Sequence, residues 1–188
     1  MKNLGPYEIN NIYAGECSEM MKALPDGCID LTVTSPPYDN LREYKGYVFD
    51  YKPVIEQLYR VTKPGGVVVW VVADATINGS ETGTSFKQAL YGVSVGFNLH
   101  DTMIYLRSSP NTPESNRYGN VFEYMFVFSK DTPKTFNLLK DRKNKYAGTK
   151  IHGTQRNKNG DLQYNKSNKI IDTYGPRFNV WQIENYTP

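Results

Sequence analysis

Six consecutive apolar residues, Val67-Val68-Val69-Trp70-Val71-Val72, follow the breaker Lys63-Pro64-Gly65-Gly66 and give the strongest strand signal in the chain. A second run, Ile29-Asp30-Leu31-Thr32-Val33-Thr34, is β-branched and mostly apolar, and reads as a buried strand. Between them, Tyr51 to Val61 repeats apolar residues at Val54, Ile55, Leu58, Tyr59 and Val61, the spacing of a helix. Lys63-Pro64-Gly65-Gly66 is expected to stop that helix and turn tightly into the next strand. Around this unit the signals are weaker. Ile12–Tyr13 reads as a short strand. Glu16 to Leu24 reads as a helix stopped by Pro25-Asp26-Gly27. Asp74 to Thr84 is Gly/Ser/Thr-rich and reads as a loop. Ser85 to Val95 reads as a helix with Phe86, Ala89, Leu90 and Val93 on one face. Leu99 to Arg107 and Val121 to Phe128 read as strands, joined by a polar loop from Ser108 to Asn120. This order predicts an α/β domain with a mainly parallel sheet and one late hairpin.

The chain has 188 residues, which fits one domain with a small appendage. Aromatics at 13% argue against wholesale disorder. Cys17 and Cys28 are too few for a disulfide framework or a zinc cluster, and His100 and His152 suggest no metal site. There is no signal-peptide pattern, and the run from Val67 to Ala73 is far shorter than the roughly 20 residues a membrane helix needs. A cytoplasmic protein without a membrane partner is expected. Charge is unevenly spread. Residues 1–129 carry 10 basic and 14 acidic residues, whereas 130–188 carry 12 basic and 5 acidic. A tail of net +7 suits a polyanion, because Lys and Arg that neutralise phosphates gain from counterion release. On charge alone, a solvated lysine-rich surface is an equal alternative.

In open α/β sheets, ligands sit outside the carboxyl ends of the strands. Ser35-Pro36-Pro37-Tyr38 stands at such an end, and two prolines can neither continue a strand nor donate to its ladder. Ser35 offers a hydroxyl acceptor, and Pro36 a carbonyl that no ladder partner need consume. Tyr38 offers a flat face for stacking. Together these suit a planar heterocycle bearing an exocyclic amino group. Two acceptors take its N–H bonds, which directs the nitrogen lone pair at an electrophile.

Ser35-Pro36-Pro37-Tyr38, with Gly15-Glu16-Cys17 upstream and Lys63-Pro64-Gly65-Gly66 before the next strand, resembles the DNA amino-methyltransferases. It is similar to the permuted subgroup in which the catalytic half precedes the cofactor half. The resemblance covers roughly residues 12 to 128 well, and the basic stretch more loosely. It implies a partial Rossmann-like fold, with residues 1–129 as the catalytic half and 130–188 as a basic target-recognition region. It implies S-adenosylmethionine as methyl donor and DNA as partner, with the target base flipped from the duplex. Ser35 and the Pro36 carbonyl would hold the amino group, Pro37 would stiffen the corner, and Tyr38 would stack on the base. Serine at the head of the tetrad leans toward N4-cytosine over N6-adenine. Gly15 and Glu16 match a cofactor-side position where the family usually has Asp. Asp74 either faces the cofactor or caps a loop. Arg42 and Tyr44, after the tetrad, either touch DNA or belong to a solvated loop. Arg142, Lys143, Lys145, Lys150, Arg156 and Lys158 are the candidate DNA contacts of the basic stretch.

The family's Phe-x-Gly-x-Gly turn, which lets backbone approach the donor closely, is not found here. The resemblance therefore implies the first half of a methyltransferase, whether truncated, a natural remnant or one chain of a split enzyme. Donor binding by this chain alone is the open question. The strand ending at Thr34 would then lack its neighbour and expose an edge to a second chain or another copy. Two other readings stand beside this one. One is a nucleic-acid-binding module without catalysis. The other is a different α/β enzyme whose strand-end turn only mimics the tetrad.

Overall fold

A computed structural model describes residues 3–39, 49–108, 115–151, 153–164 and 169–182. They form two compact units by chain contacts. The first comprises residues up to Phe136 together with Asn179 onward, and the second is Asn137–Phe178.

The first unit opens with a two-strand hairpin, β1 (Asn3–Leu4) and β2 (Tyr7–Glu8). The expected strand at Ile12–Tyr13 is not formed, and Ile12 is 95% exposed. Next come α1 (Cys17–Lys22), β3 (Ile29–Thr34), α2 (Tyr51–Val61) and β4 (Thr62–Val72). Asp50 caps α2, its side chain accepting from Lys52 N–H, and Val54, Ile55, Leu58 and Val61 form the buried face. Arg60 of α2 donates to the carbonyls of Leu24 and Met21 at 2.8 and 2.6 Å, so the end of α1 is pinned by a charge-assisted pair of bonds.

Lys63-Pro64-Gly65-Gly66 is not a separate turn. The helix passes directly into β4, and the four residues form a bulge opposite β3, where pairing jumps from Ile29↔Thr62 to Leu31↔Val67. Gly65 sits at φ +84°, and its N–H donates to the carbonyl of Lys130. The loop after β4 also carries unforeseen order. β5 (Thr76–Ile77) and β6 (Ser80–Glu81) pair across Asn78-Gly79, both at positive φ, the preferred signature of a two-residue hairpin.

After α3 (Thr84–Val95) come β7 (Asn98–Leu106) and β8 (Phe122–Ser129). The helix is where the apolar spacing put it, but it buries a different face. Ser85, Gln88, Ala89 and Gly92 point inward, while Phe86, Leu90 and Val93 are 47%, 68% and 44% exposed. Close packing decides this. A Cβ on Gly92 would lie 2.9 Å from the Phe128 ring, so only glycine lets the helix approach β8 there. Gln88 is drawn inward because its Oε1 accepts from the indole N–H of Trp70 at 2.7 Å.

The second unit holds β9 (Arg142–Lys143), β10 (Thr154–Arg156), β11 (Leu162–Tyr164) and β12 (Tyr174–Gly175). β9 pairs with β12, and β10 with β11. Gly175 is its one buried residue among those described. Arg177 pairs with Asp141, and Arg142 lies over the Phe178 ring at 4.4 Å. Among the described residues of this unit, polar and cation–aromatic contacts stand in place of an apolar core.

The chain then returns as β13 (Val180–Gln182), which belongs to the first unit's sheet although it lies in the stretch read as wholly basic region. The sheet order is β13-β7-β8-β4-β3. β3 is parallel to β4 and β13 to β7, while β8 is antiparallel to both β4 and β7. Four strands therefore run one way and β8 alone runs against them, as the expected fold class requires. The core gathers Ile55, Leu58, Val68, Trp70, Val72, Phe97, Phe126 and Phe128. At the β3 edge, Leu31 and Val33 are 58% and 65% exposed. No helix among the described residues is long and apolar enough to cross a membrane.

Candidate functional site

β3 delivers the tetrad at its carboxyl end. Ser35 is exposed, Pro36 is buried, and Pro37 and Tyr38 are half-buried. Burying the Pro36 ring while Ser35 stays in solvent fixes the corner without hiding its oxygen. Ser35 Oγ lies 2.6 Å from Tyr38 Oη, and Tyr38 Oη donates to Glu123 Oε2 of β8 at 2.8 Å. Tyr38 also packs against the core cluster. Glu123 was not among the residues the sequence pointed to. Its signal was a single carboxylate within the apolar strand from Val121 to Phe128, where a half-buried charge needs a partner.

Beside the corner is a cavity of about 270 Å³ lined by Pro37, Asp39, Phe49, Tyr51, Ile77, Thr82, Thr84 and Gln88. That lies near the lower end of small-molecule sites, roughly 300–1,000 Å³. Phe49 and Tyr51 give it aromatic walls, and Asp39, Thr82 and Gln88 give it polar groups. Tyr38 is not among the lining residues, so the aromatic faces of this cavity come from the segment entering α2.

Asp39, at φ +41°, ties the corner to the loop after β4. Its Oδ2 accepts from Ala75 N at 3.2 Å and from Thr82 Oγ1 at 2.6 Å. Asp74 accepts from Ser85 N at 2.9 Å and from the Ser85 hydroxyl. It thus caps α3, whose own N-cap Gly83 offers no side chain. These contacts give Asp74 a capping role at α3. Asp74→Ala is expected to cost about 0.5–2 kcal/mol in chemical denaturation, the range for a lost helix cap. An unchanged midpoint would refute that role.

Gly15 and Glu16 precede α1. Glu16 is its N-cap, with Oε2 accepting from Ser18 Oγ at 2.6 Å and Glu19 N at 2.8 Å. The Ser18 hydroxyl first, and then the Glu19 amide, hold its carboxyl below the ordinary range. Burial, then the Glu16 charge, push the Cys17 thiol up. A second cleft of about 240 Å³, lined by Tyr7, Tyr13, Gly15, Cys17, Met20, Met21 and Leu24, lies against this helix. A Cβ on Gly15 would come within 2.5 Å of Met20 Sδ, so a larger residue there would have to displace that flexible side chain.

Arg42 and Tyr44 lie outside the described residues. Arg142, Lys143, Lys145, Lys150, Arg156 and Lys158 all fall in the second unit. Several also have internal roles: Arg142 donates to the Pro176 carbonyl at 3.0 Å, Arg156 to the Gly160 carbonyl at 2.7 Å, and Lys145 lies over the Tyr146 ring at 5.5 Å. Tyr146, Tyr164, Tyr174 and Phe178 are exposed among them. No cluster suited to a metal ion occurs among the described residues.

The strand-end corner, the adjoining cavity and the single antiparallel strand define an α/β fold of the Rossmann-like methyltransferase type. Residues 29–188 match the family model for N6/N4 DNA methylases, and the chain belongs to that family. It is 55% identical over 168 residues to the orphan methyltransferase M.BamHII of Bacillus amyloliquefaciens, covering 88% of this chain and 63% of the relative. A shorter match, 39% over 71 residues, is to the type II methyltransferase M.BglII of Bacillus subtilis, covering 34% of this chain and 19% of that one. Among solved structures, the PvuII DNA methyltransferase (cytosine-N4-specific) aligns with a TM-score of 0.53 at 22% identity, over 65% of this chain and 50% of that one. A complex of M1.HpyAVI with its SAM ligand aligns with a TM-score of 0.50 at 19% identity, over 70% and 61%. These two show the fold. The chain spans less than two thirds of the length of the relatives named here.

Proposed function

We propose that this chain is the catalytic half of an S-adenosylmethionine-dependent DNA methyltransferase acting on the exocyclic amino group of a flipped base, N4 of cytosine by preference. The observation that carries the reading is the proline-stiffened corner with an exposed Ser35 hydroxyl beside a cavity walled by Pro37, Phe49 and Tyr51. Ser35 Oγ and the Pro36 carbonyl accept the two amino N–H bonds. The ring is held by the cavity's aromatic walls, Phe49 and Tyr51, while Tyr38, which does not line the cavity, acts through its bond to Ser35. Held this way, the nitrogen lone pair would be left free to face an electrophile. Such catalysis is positioning and electrostatics, with no covalent enzyme intermediate.

S-adenosylmethionine, when bound, supplies an electrophilic methyl group on a sulfonium. The residues present fit it only in part. The Gly15 cleft offers apolar and aromatic walls suited to adenine, but Glu16 spends its carboxylate on capping α1, and the Phe-x-Gly-x-Gly turn is not in the sequence. The rest of the donor site is therefore assigned to a complementary segment, in the same protein or on a second chain. The β3 edge is where it would join, as a parallel strand over Leu31 and Val33, and another copy of this chain is the competing occupant. The basic second unit is assigned to DNA, through Arg142, Lys143, Lys145, Lys150, Arg156 and Lys158. A cytoplasmic setting follows from that substrate.

The test is transfer of labelled methyl from S-adenosylmethionine to unmethylated plasmid DNA. It uses the chain alone and with the remaining part of the Bacillus amyloliquefaciens relative added in trans. Label on N4 of cytosine is expected in the mixture. Label on adenine would move the base assignment, and none would overturn the reading. In the same assay, Leu31→Asp with Val33→Asp should abolish complementation. The exposure of both sites should keep stability within about 0.5 kcal/mol of wild type. Full activity of that variant would rule out the β3 edge as the junction.

A further inference from the structure

Ser35, Tyr38 and Glu123 form a chain of hydrogen bonds whose direction can be worked out from proton counts. An ionised carboxylate only accepts, and a phenol carries one proton. Tyr38 Oη lies 2.8 Å from Glu123 Oε2, so its proton is given to Glu123. The contact of 2.6 Å between Ser35 Oγ and Tyr38 Oη must then run the other way, with Ser35 donating. The Ser35 proton is thereby turned toward Tyr38, and the lone pairs of Ser35 Oγ remain to accept. An amino group needs an acceptor there. The opposite arrangement, with Tyr38 donating to Ser35, would fill one of those lone pairs and free the Ser35 proton to face the incoming N–H.

We infer that Glu123 is a positioning residue for the amino group of the base, acting through Tyr38 to keep the Ser35 oxygen an acceptor. Its place on β8 supports this. The Tyr38–Glu123 bond joins residues 85 apart in sequence, across from the strand end that carries the tetrad. The strand around it is otherwise apolar, with Phe122, Tyr124, Met125 and Phe126 as neighbours, so a carboxylate here carries a desolvation cost that the phenol proton offsets. Packing alone would be met by Leu or Gln. Only an obligate acceptor fixes the proton direction, because a Gln amide can equally donate to Tyr38 and reverse the chain.

The inference rests on the amino-group reading of the corner, and the experiment separates the two. Wild type, Glu123→Gln, Glu123→Asp, Tyr38→Phe and the double variant Tyr38→Phe with Glu123→Gln, each with the remaining part of the Bacillus amyloliquefaciens relative added in trans, are assayed for methyl transfer, with turnover and KM for plasmid DNA measured separately. Glu123→Gln should lower turnover about tenfold at unchanged KM, a smaller loss than the roughly 10²-fold of a 1 Å misplacement. Glu123→Asp should recover part of that loss. In the Tyr38→Phe background, Glu123→Gln should change turnover less than about twofold, since its route to Ser35 is already cut. Unchanged turnover in Glu123→Gln, or the same tenfold loss in both backgrounds, would overturn the inference. A second readout does not need activity. The ¹⁹F signal of 3-fluorotyrosine placed at position 38 should shift in Glu123→Gln and in Ser35→Ala, and stay put in the control Glu56→Gln. If wild type with its complementing part transfers no methyl at all, the functional reading fails. The ¹⁹F signal then decides the inference: an unmoved signal overturns it, and a moved one supports Glu123's hold on Tyr38.

Discussion

Trp70→Ala should leave the first unit at or near the point of unfolding. Trp70 is 1% exposed and stands among Ile55, Leu58, Phe97, Phe126 and Phe128, with the Phe49 ring stacked at 6.4 Å. Truncating a buried aromatic costs about 3–5 kcal/mol from lost transfer energy and the cavity left behind. A second cost adds to it. The indole N–H is the donor to Gln88 Oε1, and Gln88 is 2% exposed, so its amide oxygen would lose its donor, at about 1–3 kcal/mol. Against the roughly 5–15 kcal/mol that holds an ordinary domain, the sum is most or all of the stability. Trp70→Phe separates the two costs, since it keeps most of the packing and orphans Gln88. Trp70→Phe with Gln88→Leu should then recover about 1 kcal/mol or more relative to Trp70→Phe alone. Urea denaturation followed by circular dichroism reads all three variants. A Trp70→Ala loss under about 1 kcal/mol would mean that this core is not built around the indole.

The same pair shows where sequence reading succeeds and where it stops. β3 and α2 have the bounds the sequence predicts, Ile29–Thr34 and Tyr51–Val61, because their determinants are local. The prolines end one, and Asp50 caps the other. The buried face of α3 depends on partners far along the chain. Gly92 accepts the ring of Phe128, and Gln88 is held by Trp70, so the apolar stripe of Phe86, Leu90 and Val93 misleads. β13 is three residues in a polar stretch, and its place beside β7 comes from register rather than composition. The site divides in the same way. Ser35 to Tyr38 is legible because it is contiguous and its prolines permit few conformations. The cavity is assembled from Phe49, Tyr51, Thr82 and Gln88 on separate segments, and only the fold brings them to Pro37. Asp74 shows how a loop residue acquires a role from a distant segment. Its carboxylate is occupied with Ser85, as a cap should be.

Ser35→Ala should reduce methyl transfer by about 10²–10³-fold, the range for removing one hydrogen-bonding group that faces developing charge. By the usual conversion, that is about 2.7–4 kcal/mol of transition-state stabilisation. The loss should fall on turnover. Ser35 is exposed and lies outside the core cluster, so the melting temperature should move little. DNA affinity should hold too, since the basic residues assigned to phosphate contact lie in the second unit. Salt separates these contributions. Raising ionic strength should weaken DNA binding by wild type and Ser35→Ala with the same slope, because neither phosphate contacts nor counterion release involve the hydroxyl. Ser35→Asp is the informative rescue. A carboxylate still accepts an amino N–H, so part of the lost turnover should return. It cannot donate to Tyr38, however, and would stand near the phenol already bonded to Glu123, so recovery should be incomplete. If Ser35→Ala stays within about threefold of wild type while DNA is still methylated, the amino group is held by other atoms, and the strand-end corner would be a structural turn beside an active site located elsewhere.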